Sequence, residues 1–130
     1  HSYVGEWVNL GANTNNSDLK NNYSEVRFKI EDKIINSGQQ FLGVFIGDYS
    51  KTGISTMFNT GTYVGVGANI FGSGFQDKFI SSFSWGAEQR TDLEKFLSTC
   101  EIVKDRRQQK LSSFERSVLI NLYNKKSSLI

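Results

Sequence analysis

The sequence contains no proline, one cysteine and one histidine, and its formal net charge is only +2. A single cysteine, Cys100, cannot form an internal disulfide, and we expect its thiol to be buried. The charge is too small and too dispersed for the concentrated basic face that nucleic-acid binding requires. No apolar run is long enough to cross a bilayer, and no signal-peptide pattern opens the chain. We therefore expect a soluble, cytoplasmic protein with no nucleic-acid or membrane partner.

The length of 130 residues, with 38% hydrophobic residues, fits one domain with an appendage. The chain begins with His1 rather than methionine, so we expect it to be part of a longer protein.

A six-residue repeat runs through residues 46–75 in the blocks IGDYSK, TGISTM, FNTGTY, VGVGAN and IFGSGF. Four of the five blocks open with a large apolar residue, and every fifth position is small: Ser50, Thr56, Thr62, Ala68 and Gly74. The blocks VGEWVN and LGANTN repeat the pattern from Val4. Short periods of this kind are typical of β-helices. We predict triangular coils of three blocks, with glycine at second positions supplying the backbone geometry of the corners.

Two stretches interrupt the repeat. Residues 18–42 are expected to form a projecting loop or hairpin, in which VRFKI is a strand with one solvated face and residues 33–40 supply a turn. A long excursion from a strict repeat is often functional. After Gly74 the repeat is expected to end, and the aromatic residues 75–86 form either a cap on the solenoid or a ligand-binding lid.

The C-terminal residues 87–130 are predicted to be helical, which leaves residues 1–86 as the β-helix domain. A capping box, TDLE, opens one helix at Thr91, and a second, SSFE, opens another at Ser112. Leu93, Phe96, Leu97, Cys100 and Val103 would form the apolar stripe of the first, and Phe114, Val118, Leu119, Leu122 and Tyr123 that of the second. The basic residues 106–110 between them are either solvated or in contact with a ligand phosphate.

VNLGANT, the later NNY and the hexads together resemble the left-handed parallel β-helix of hexapeptide-repeat acyltransferases. The likeness is closest to the C-terminal part of the bifunctional N-acetylglucosamine-1-phosphate uridylyltransferase and glucosamine-1-phosphate acetyltransferase. HSYVGEWVNLGANTNNSDLKN and the FSWG ending are similar to a divergent bacterial form of that enzyme. The resemblance covers about residues 1–86. It implies a homotrimer in which acetyl-CoA lies in the groove between subunits, and an acetyl transfer to the amine of glucosamine 1-phosphate.

The resemblance also implies site residues. The family's general base is a histidine shortly before a glycine turn, which matches His1 ahead of Val4 and Gly5, although a terminal histidine can also be frayed and idle. Asn22 and Tyr23 match the family's Asn-Tyr pair around the acetyl and sugar groups, or are ordinary turn residues.

A basic residue that follows the Asn-Tyr pair in the family corresponds to Arg27 or Lys29, with Lys29 taken as the substrate-binding residue. Ser55, beside the in-phase Ile54, is the expected acyl-group contact, and the Gly72 backbone is the expected contact for the thioester carbonyl or amide of acetyl-CoA. The carboxylates of Asp48, Asp18 and Glu6 show no spacing that assigns acid and base roles, and no His and Cys cluster suggests a metal.

Two functions follow from this reading. The first is an acetyl-CoA-dependent N-acetyltransferase domain for an amino-sugar 1-phosphate in UDP-N-acetylglucosamine biosynthesis, attached in the full protein to an N-terminal nucleotidyltransferase domain. The alternative is a non-catalytic β-helix that trimerises or regulates a sugar-1-phosphate nucleotidyltransferase. A γ-type carbonic anhydrase on the same fold is disfavoured, because it requires several histidine ligands and the chain has one.

Overall fold

A computed structural model of the protein describes residues 1–125, which are mostly β-structure with two helices. The strands are Tyr3–Val4 (β1), Asn9–Leu10 (β2), Asn15–Asn16 (β3), Arg27–Ile30 (β4), Lys33–Asn36 (β5), Phe45–Ile46 (β6), Lys51–Thr52 (β7), Met57–Phe58 (β8), Tyr63–Val64 (β9), Asn69–Ile70 (β10), Phe79–Ile80 (β11), Ser84–Trp85 (β12) and Gln89–Arg90 (β13). The helices are Leu93–Asp105 (α1) and Ser113–Asn124 (α2). Over these residues, neither helix combines the length and the apolarity that a bilayer crossing needs.

The strands of the repeat enter three sheets in rotation. The first sheet contains β1, β6, β9 and β11, the second contains β2, β7, β10, β12 and β13, and the third pairs β3 with β8. Pairing is parallel except between β12 and β13. Ile46 is in register with Val64, and Thr52 with Ile70, each 18 residues later. Three blocks of six therefore advance the chain by one layer, which is compatible with the predicted β-helix.

The predicted alternation of large and small residues describes the core of these layers. The large block openers Ile46, Phe58, Val64 and Ile70 are all buried in one cluster. The small fifth residues Ser50, Thr56, Thr62 and Ala68 are each no more than 1% exposed, whereas Gly74 is exposed. Buried hydroxyls need partners, and Thr56 and Thr62 donate to the backbone oxygens of Gly53 and Asn59, three residues before each.

The prediction that second-position glycines supply the backbone geometry of the corners is wrong. A left-handed φ of 57° to 66° occurs at the fourth position of six blocks, at Trp7, Asn13, Tyr49, Ser55, Gly61 and Gly67, and at Phe83 in the last layer. The block IFGSGF departs from this, because its left-handed residues are Gly72 and Gly74 and not its fourth residue. Of the seven residues at 57° to 66°, only Gly61 and Gly67 are glycine, so most corners hold a side chain in a conformation that costs energy and persists because the surrounding structure enforces it.

The second-position glycines serve contact between layers instead. A Cβ at Gly47 would lie 2.7 Å from the backbone oxygen of Gly65, and one at Gly65 would lie 2.5 Å from the backbone nitrogen of Ser82. Neither glycine has a left-handed φ. Glycine is needed here because the backbones of successive layers approach too closely for any side chain.

Residues 18–42 contain a hairpin, but it does not project freely. β4 and β5 pair antiparallel from Arg27 opposite Asn36 to Ile30 opposite Lys33. Val26 and Phe28 are buried, and the Phe28 ring lies 4.9 Å from that of Phe45 on the first sheet. The expected turn at residues 33–40 is therefore wrong in its first half, because β5 occupies Lys33–Asn36 and the chain reverses just before it.

Parallel stacking continues beyond Gly74, where the sequence predicted its end. β11 pairs with β9, with Phe79 opposite Tyr63, and β12 pairs with β10, with Trp85 opposite Asn69. Each partner lies 16 residues later rather than 18. The shortened layer falls out of phase with the hexads, which is why the sequence pattern missed it.

The two helices cover one side of the layers. The α1 N-cap is Asp92, whose side chain accepts from the Lys95 N–H, and not the predicted Thr91. The second cap, Ser112, is confirmed, because its hydroxyl accepts from the Glu115 N–H. Of the predicted α2 stripe, Phe114 is 79% exposed and Val118 47% exposed, so that stripe is only partly correct.

A second buried cluster joins the helices to the repeat. It contains Tyr49 and Phe83 from the layers, Phe96, Leu97 and Cys100 from α1, and Leu119 from α2. Burial raises the pKa of the Cys100 thiol to about 12. Residues 106–110 between the helices are exposed, as expected of solvated charges. Residues 126–130 of the predicted helical segment lie outside the described residues.

Candidate functional site

Two corners of the repeat hold the site residues that the sequence predicts. We call the connection from the third sheet to the first the hairpin corner, because the hairpin between β3 and β6 is inserted there. We call the connection from the second sheet to the third the Ser55 corner, because Ser55 lies between β7 and β8.

His1 lies at the hairpin corner, where its backbone oxygen accepts from the Gly43 N–H at 2.8 Å. Its Nδ1 lies 2.7 Å from Asp18 Oδ2, and its ring centroid is 5.6 Å from that of Phe41. An ionised carboxylate only accepts hydrogen bonds, so Nδ1 carries the proton and Nε2 of the neutral ring is free to accept one. The side chain is 59% exposed, so a substrate can reach it. This is the arrangement of a carboxylate-oriented general base.

Around His1, sequence reasoning named Asp18 without giving it a role, and it missed Phe41. The signal was available for Asp18, because a coil of three six-residue blocks places residues about 18 apart side by side, and Asp18 follows His1 by 17. Phe41 had no such signal, because the hairpin returns it to this corner through an antiparallel bridge with Leu19.

Asn22 and Tyr23 lie in the turn that leads into the hairpin. Asn22 Oδ1 accepts from both the backbone N–H and the hydroxyl of Ser24, at 3.1 and 2.7 Å. Tyr23 has φ of 59°, its side chain is exposed, and its backbone oxygen accepts from Gln40 Nε2. The Asn22 amide oxygen thus stabilises its own turn, while the Tyr23 ring remains open to a ligand.

The two candidate basic residues lie on the exposed side of β4. Arg27 and Lys29 alternate with the buried Phe28, which confirms the strand with one solvated face. The Arg27 backbone oxygen accepts from Lys78 Nζ at 2.9 Å, which ties the hairpin to the last layer. Burial and the neighbouring charges of Lys20 and Arg27 lower the Lys78 pKa. The basic side chains near the hairpin therefore include Lys78, which the sequence did not single out.

Ser55 and Gly72 occupy the Ser55 corner in successive layers. Ser55 has φ of 57°, and its hydroxyl accepts from Asn13 Nδ2 at 3.1 Å. Gly72 has φ of 118° and follows β10, and its backbone oxygen accepts a long hydrogen bond from Gln76 Nε2. The adjacent Ile54 side chain is 78% exposed. This corner offers an exposed apolar surface beside polar backbone groups.

The structure thus brings the predicted residues together in two groups. His1, Asn22, Tyr23 and Lys29 belong to the hairpin corner and its insertion, whereas Ser55 and Gly72 belong to a different corner. In one chain, a proton acceptor and the expected acyl-group contacts do not share a corner. Within residues 1–125, no three His, Cys, Asp or Glu side chains cluster in a way that could hold a metal ion.

Two known proteins are similar in sequence to part of this chain. No protein-family model matches the chain. It is 37% identical over 70 residues to a bifunctional sugar-1-phosphate nucleotidylyltransferase/acetyltransferase of Sulfurisphaera tokodaii, a match that covers 54% of this chain and 18% of the relative. It is also 37% identical over 81 residues to the bifunctional protein GlmU of Methanocaldococcus jannaschii, covering 62% of this chain and 20% of the relative. These names confirm the resemblance found in the sequence. The matched region spans about a fifth of the length of each relative.

Proposed function

We propose that this chain is the acetyltransferase part of a bifunctional sugar-phosphate enzyme, and that it transfers an acetyl group from acetyl-CoA to the amine of an amino-sugar 1-phosphate such as glucosamine 1-phosphate. The observation that carries the proposal is the His1–Asp18 pair, at 2.7 Å, on a scaffold of stacked parallel layers. The name of the Sulfurisphaera tokodaii relative, which contains both sugar-1-phosphate and acetyltransferase, supports a sugar-phosphate substrate and an acetyl transfer.

Acetyl transfer to an amine needs a base. The amine nitrogen forms a bond to the acetyl carbon while the carbon–sulfur bond breaks. His1 Nε2 takes the proton that the amine loses, and the leaving sulfur departs as a thiol after receiving a proton in turn. Asp18 holds the His1 ring through Nδ1 and stabilises the imidazolium that forms. The Gly72 N–H is the candidate donor to the oxygen that becomes negative during the attack.

The separation of the two corners supports a homotrimer of left-handed β-helices as the catalytic form. A second copy that places its Ser55 corner against the first copy's hairpin corner would supply the acyl-group contacts that His1 lacks within its own chain. The rotation of successive hexads through three parallel sheets supports the β-helix. We expect light scattering after size-exclusion chromatography of the full-length protein to give a trimer.

The test is thiol release from acetyl-CoA in the presence of glucosamine 1-phosphate, with the full-length protein. We expect His1→Ala to lower kcat about 100-fold or more, the usual contribution of a general base. Asp18→Asn should lower it as well, because the ring loses its orienting carboxylate. The matched control is Asp32→Asn, an exposed aspartate between β4 and β5, which should leave the rate unchanged.

A non-catalytic trimerisation or regulatory β-helix of a sugar-1-phosphate nucleotidyltransferase is the second candidate. It is favoured by the engagement of the Asn22 amide oxygen in its own turn, since that oxygen is then not presented to a substrate. The same assay separates the two functions. A folded trimer that releases no thiol, or that releases it equally after His1→Ala, would reject the acetyltransferase and support the scaffold.

A further inference from the structure

We propose that the cavity between the second sheet and α1 binds a small phosphorylated molecule. The cavity has a volume of about 340 Å³, within the range of protein sites for small ligands. None of the predicted site residues at the two corners lines it. The proposal therefore does not depend on the acetyltransferase activity, and either one can fail without the other.

One wall of the cavity is a column of outward-facing residues on the second sheet. Lys51, Asn69 and Trp85 stand in register on three successive parallel strands. The three side chains lie on the same face of the sheet, because residues in register on neighbouring strands point to the same side. The column places an ammonium group, an amide and an indole ring in one line. A phosphate can accept from the first two, and the flat or apolar part of its carrier can lie against the third.

The opposite wall is the first turns of α1 and the segment that leads into it. Lys95, Phe96 and Thr99 contribute from the helix, and Arg90 and Thr91 from the preceding segment. The first turn of a helix carries a partial positive charge, which favours an anion nearby. The wall therefore adds a favourable electrostatic environment to the side chains of the sheet.

The charged groups around the cavity favour an anion. Lys51, Arg90 and Lys95 line it, and Asp92 is the acidic residue among its lining. Asp92 is already engaged, because its Oδ1 accepts from the Lys95 N–H as the helix cap. Arg90 lies 3.7 Å from the centre of the Tyr123 ring and is thereby held in place. Three positive charges therefore face one negative charge, and the Arg90 guanidinium is held in place before a ligand arrives.

Lys51 is the group with most to gain from an anion. It is partly buried, and within residues 1–125 its Nζ donates a single long hydrogen bond, of 3.3 Å, to the Tyr49 backbone oxygen. An ammonium has three donors, so a ligand can accept from the others. Burial lowers the Lys51 pKa, because desolvation disfavours the charged ammonium. A phosphate oxygen would supply the solvation that the cavity lacks.

Thr91 provides a second, independent sign of a missing partner. Its hydroxyl oxygen is buried and has no hydrogen-bond partner within the described part of the chain. Its backbone groups are both used, the N–H by the Phe83 oxygen and the oxygen by the Tyr123 hydroxyl. Buried hydroxyls without partners are rare and costly. Thr91 lines the cavity, and a rotation of its side chain that turns the hydroxyl toward the cavity would let a ligand oxygen accept from it.

The experiment is isothermal titration calorimetry of the whole chain with pyrophosphate, with sodium chloride at matched ionic strength as the salt control. We expect saturable binding of one pyrophosphate per chain. Lys51→Met should weaken it about tenfold or more, the effect of losing one charge-assisted hydrogen bond. The matched control, Lys110→Met, removes an exposed charge between the helices and should change the affinity less than about twofold.

Thr91→Val keeps the proposal testable if Lys51→Met does not fold. Valine preserves the shape and removes only the hydroxyl, so the free protein should lose no stability while pyrophosphate binds severalfold more weakly. Thermal unfolding of each variant without ligand reports folding. Absence of saturable binding to the wild-type protein would overturn the proposal, as would equal weakening in Lys51→Met and Lys110→Met, or unchanged affinity in Thr91→Val.

Discussion

Replacing Glu115 with glutamine should destabilise the protein by breaking the ion pair that joins the helices to the repeat. Glu115 accepts hydrogen bonds from both Lys104 Nζ and the Tyr49 hydroxyl. Lys104 is only 8% exposed and lies over the Trp7 ring, 5.4 Å from its centre. Glutamine has nearly the same shape and its single oxygen can still accept from Tyr49, so Glu115→Gln removes the charge and the hydrogen bond from Lys104.

The magnitude follows from the burial of the two partners. Breaking a fully buried ion pair costs about 3–5 kcal/mol because one charge remains unpaired, whereas an exposed pair contributes about 0–1 kcal/mol. The Lys104 side chain is 10% exposed and that of Glu115 31% exposed. The pair therefore lies between the two cases, and we expect the free energy of unfolding to fall by about 2–3 kcal/mol.

Urea unfolding at neutral pH and fixed protein concentration measures this difference. The control is Glu101→Gln, which breaks an exposed pair with Arg116, at 56% and 38% side-chain exposure, and should cost less than about 0.5 kcal/mol. The double variant Lys104→Met/Glu115→Gln should recover much of the loss, because no unpaired charge remains and the glutamine oxygen can still accept from Tyr49. Equal losses in Glu115→Gln and Glu101→Gln would refute the reasoning.

The same pair gives a pH dependence with a defined sign. Burial tends to raise the Glu115 pKa, but the hydrogen bonds from Lys104 and Tyr49 outweigh it and place the pKa below its ordinary 4.5. A lowered folded-state pKa contributes stability that is present above the unfolded value and is lost as the pH falls through the folded one. We expect the stability difference between wild type and Glu115→Gln to be constant near neutrality and to shrink below about pH 4.

Further predictions concern the hairpin, the layer contacts and the buried thiol. Phe28→Ala should cost about 2–4 kcal/mol in urea unfolding because Phe28 packs on the first sheet, whereas Ile34→Ala, at an exposed position of the same hairpin, should cost less than about 1 kcal/mol. Gly47→Ala should cost about 1–3 kcal/mol from overlap with the next layer, while Gly38→Asn, where a Cβ meets open space, should be nearly neutral; similar losses at both would contradict the close-contact explanation. With its pKa raised to about 12, Cys100 should react with Ellman's reagent at pH 8 only after unfolding, and rapid reaction of the folded protein would disprove its burial.

The sequence predicts most of the repeat correctly. Some details of the repeat are predicted wrongly, and the reasons can be identified. Large openers and small fifth residues mark the interior because each layer repeats the same geometry. The left-handed corners were assigned to glycine, yet Tyr49 and Ser55 adopt that conformation. Local preference could not reveal this, because tertiary contacts enforce a strained φ that isolated residues avoid. The last layer was missed because its strands are spaced 16 residues from their partners.

The candidate site was predicted less completely than the fold. His1 was identified through a resemblance, but its orienting partner Asp18 required knowing which residues one coil brings side by side. Asn22 matches the family's Asn-Tyr pair, and Lys29 is one of two candidates for the basic residue that follows it. Only the structure shows the first engaged in its turn and the second exposed on β4.

By itself the sequence determined the six-residue repeat. Layers that stack at a fixed spacing need residues of the same size at equivalent positions, and this requirement is visible in the sequence. Only the tertiary structure decided what meets at the corners and against the helices. The hairpin folds back through Phe28, the Glu115 carboxylate reaches Tyr49 across 66 residues, and the cavity beside Lys51 exists because α1 lies over the second sheet. Contacts between segments so distant in the chain depend on the positions of whole elements, and no local pattern records them.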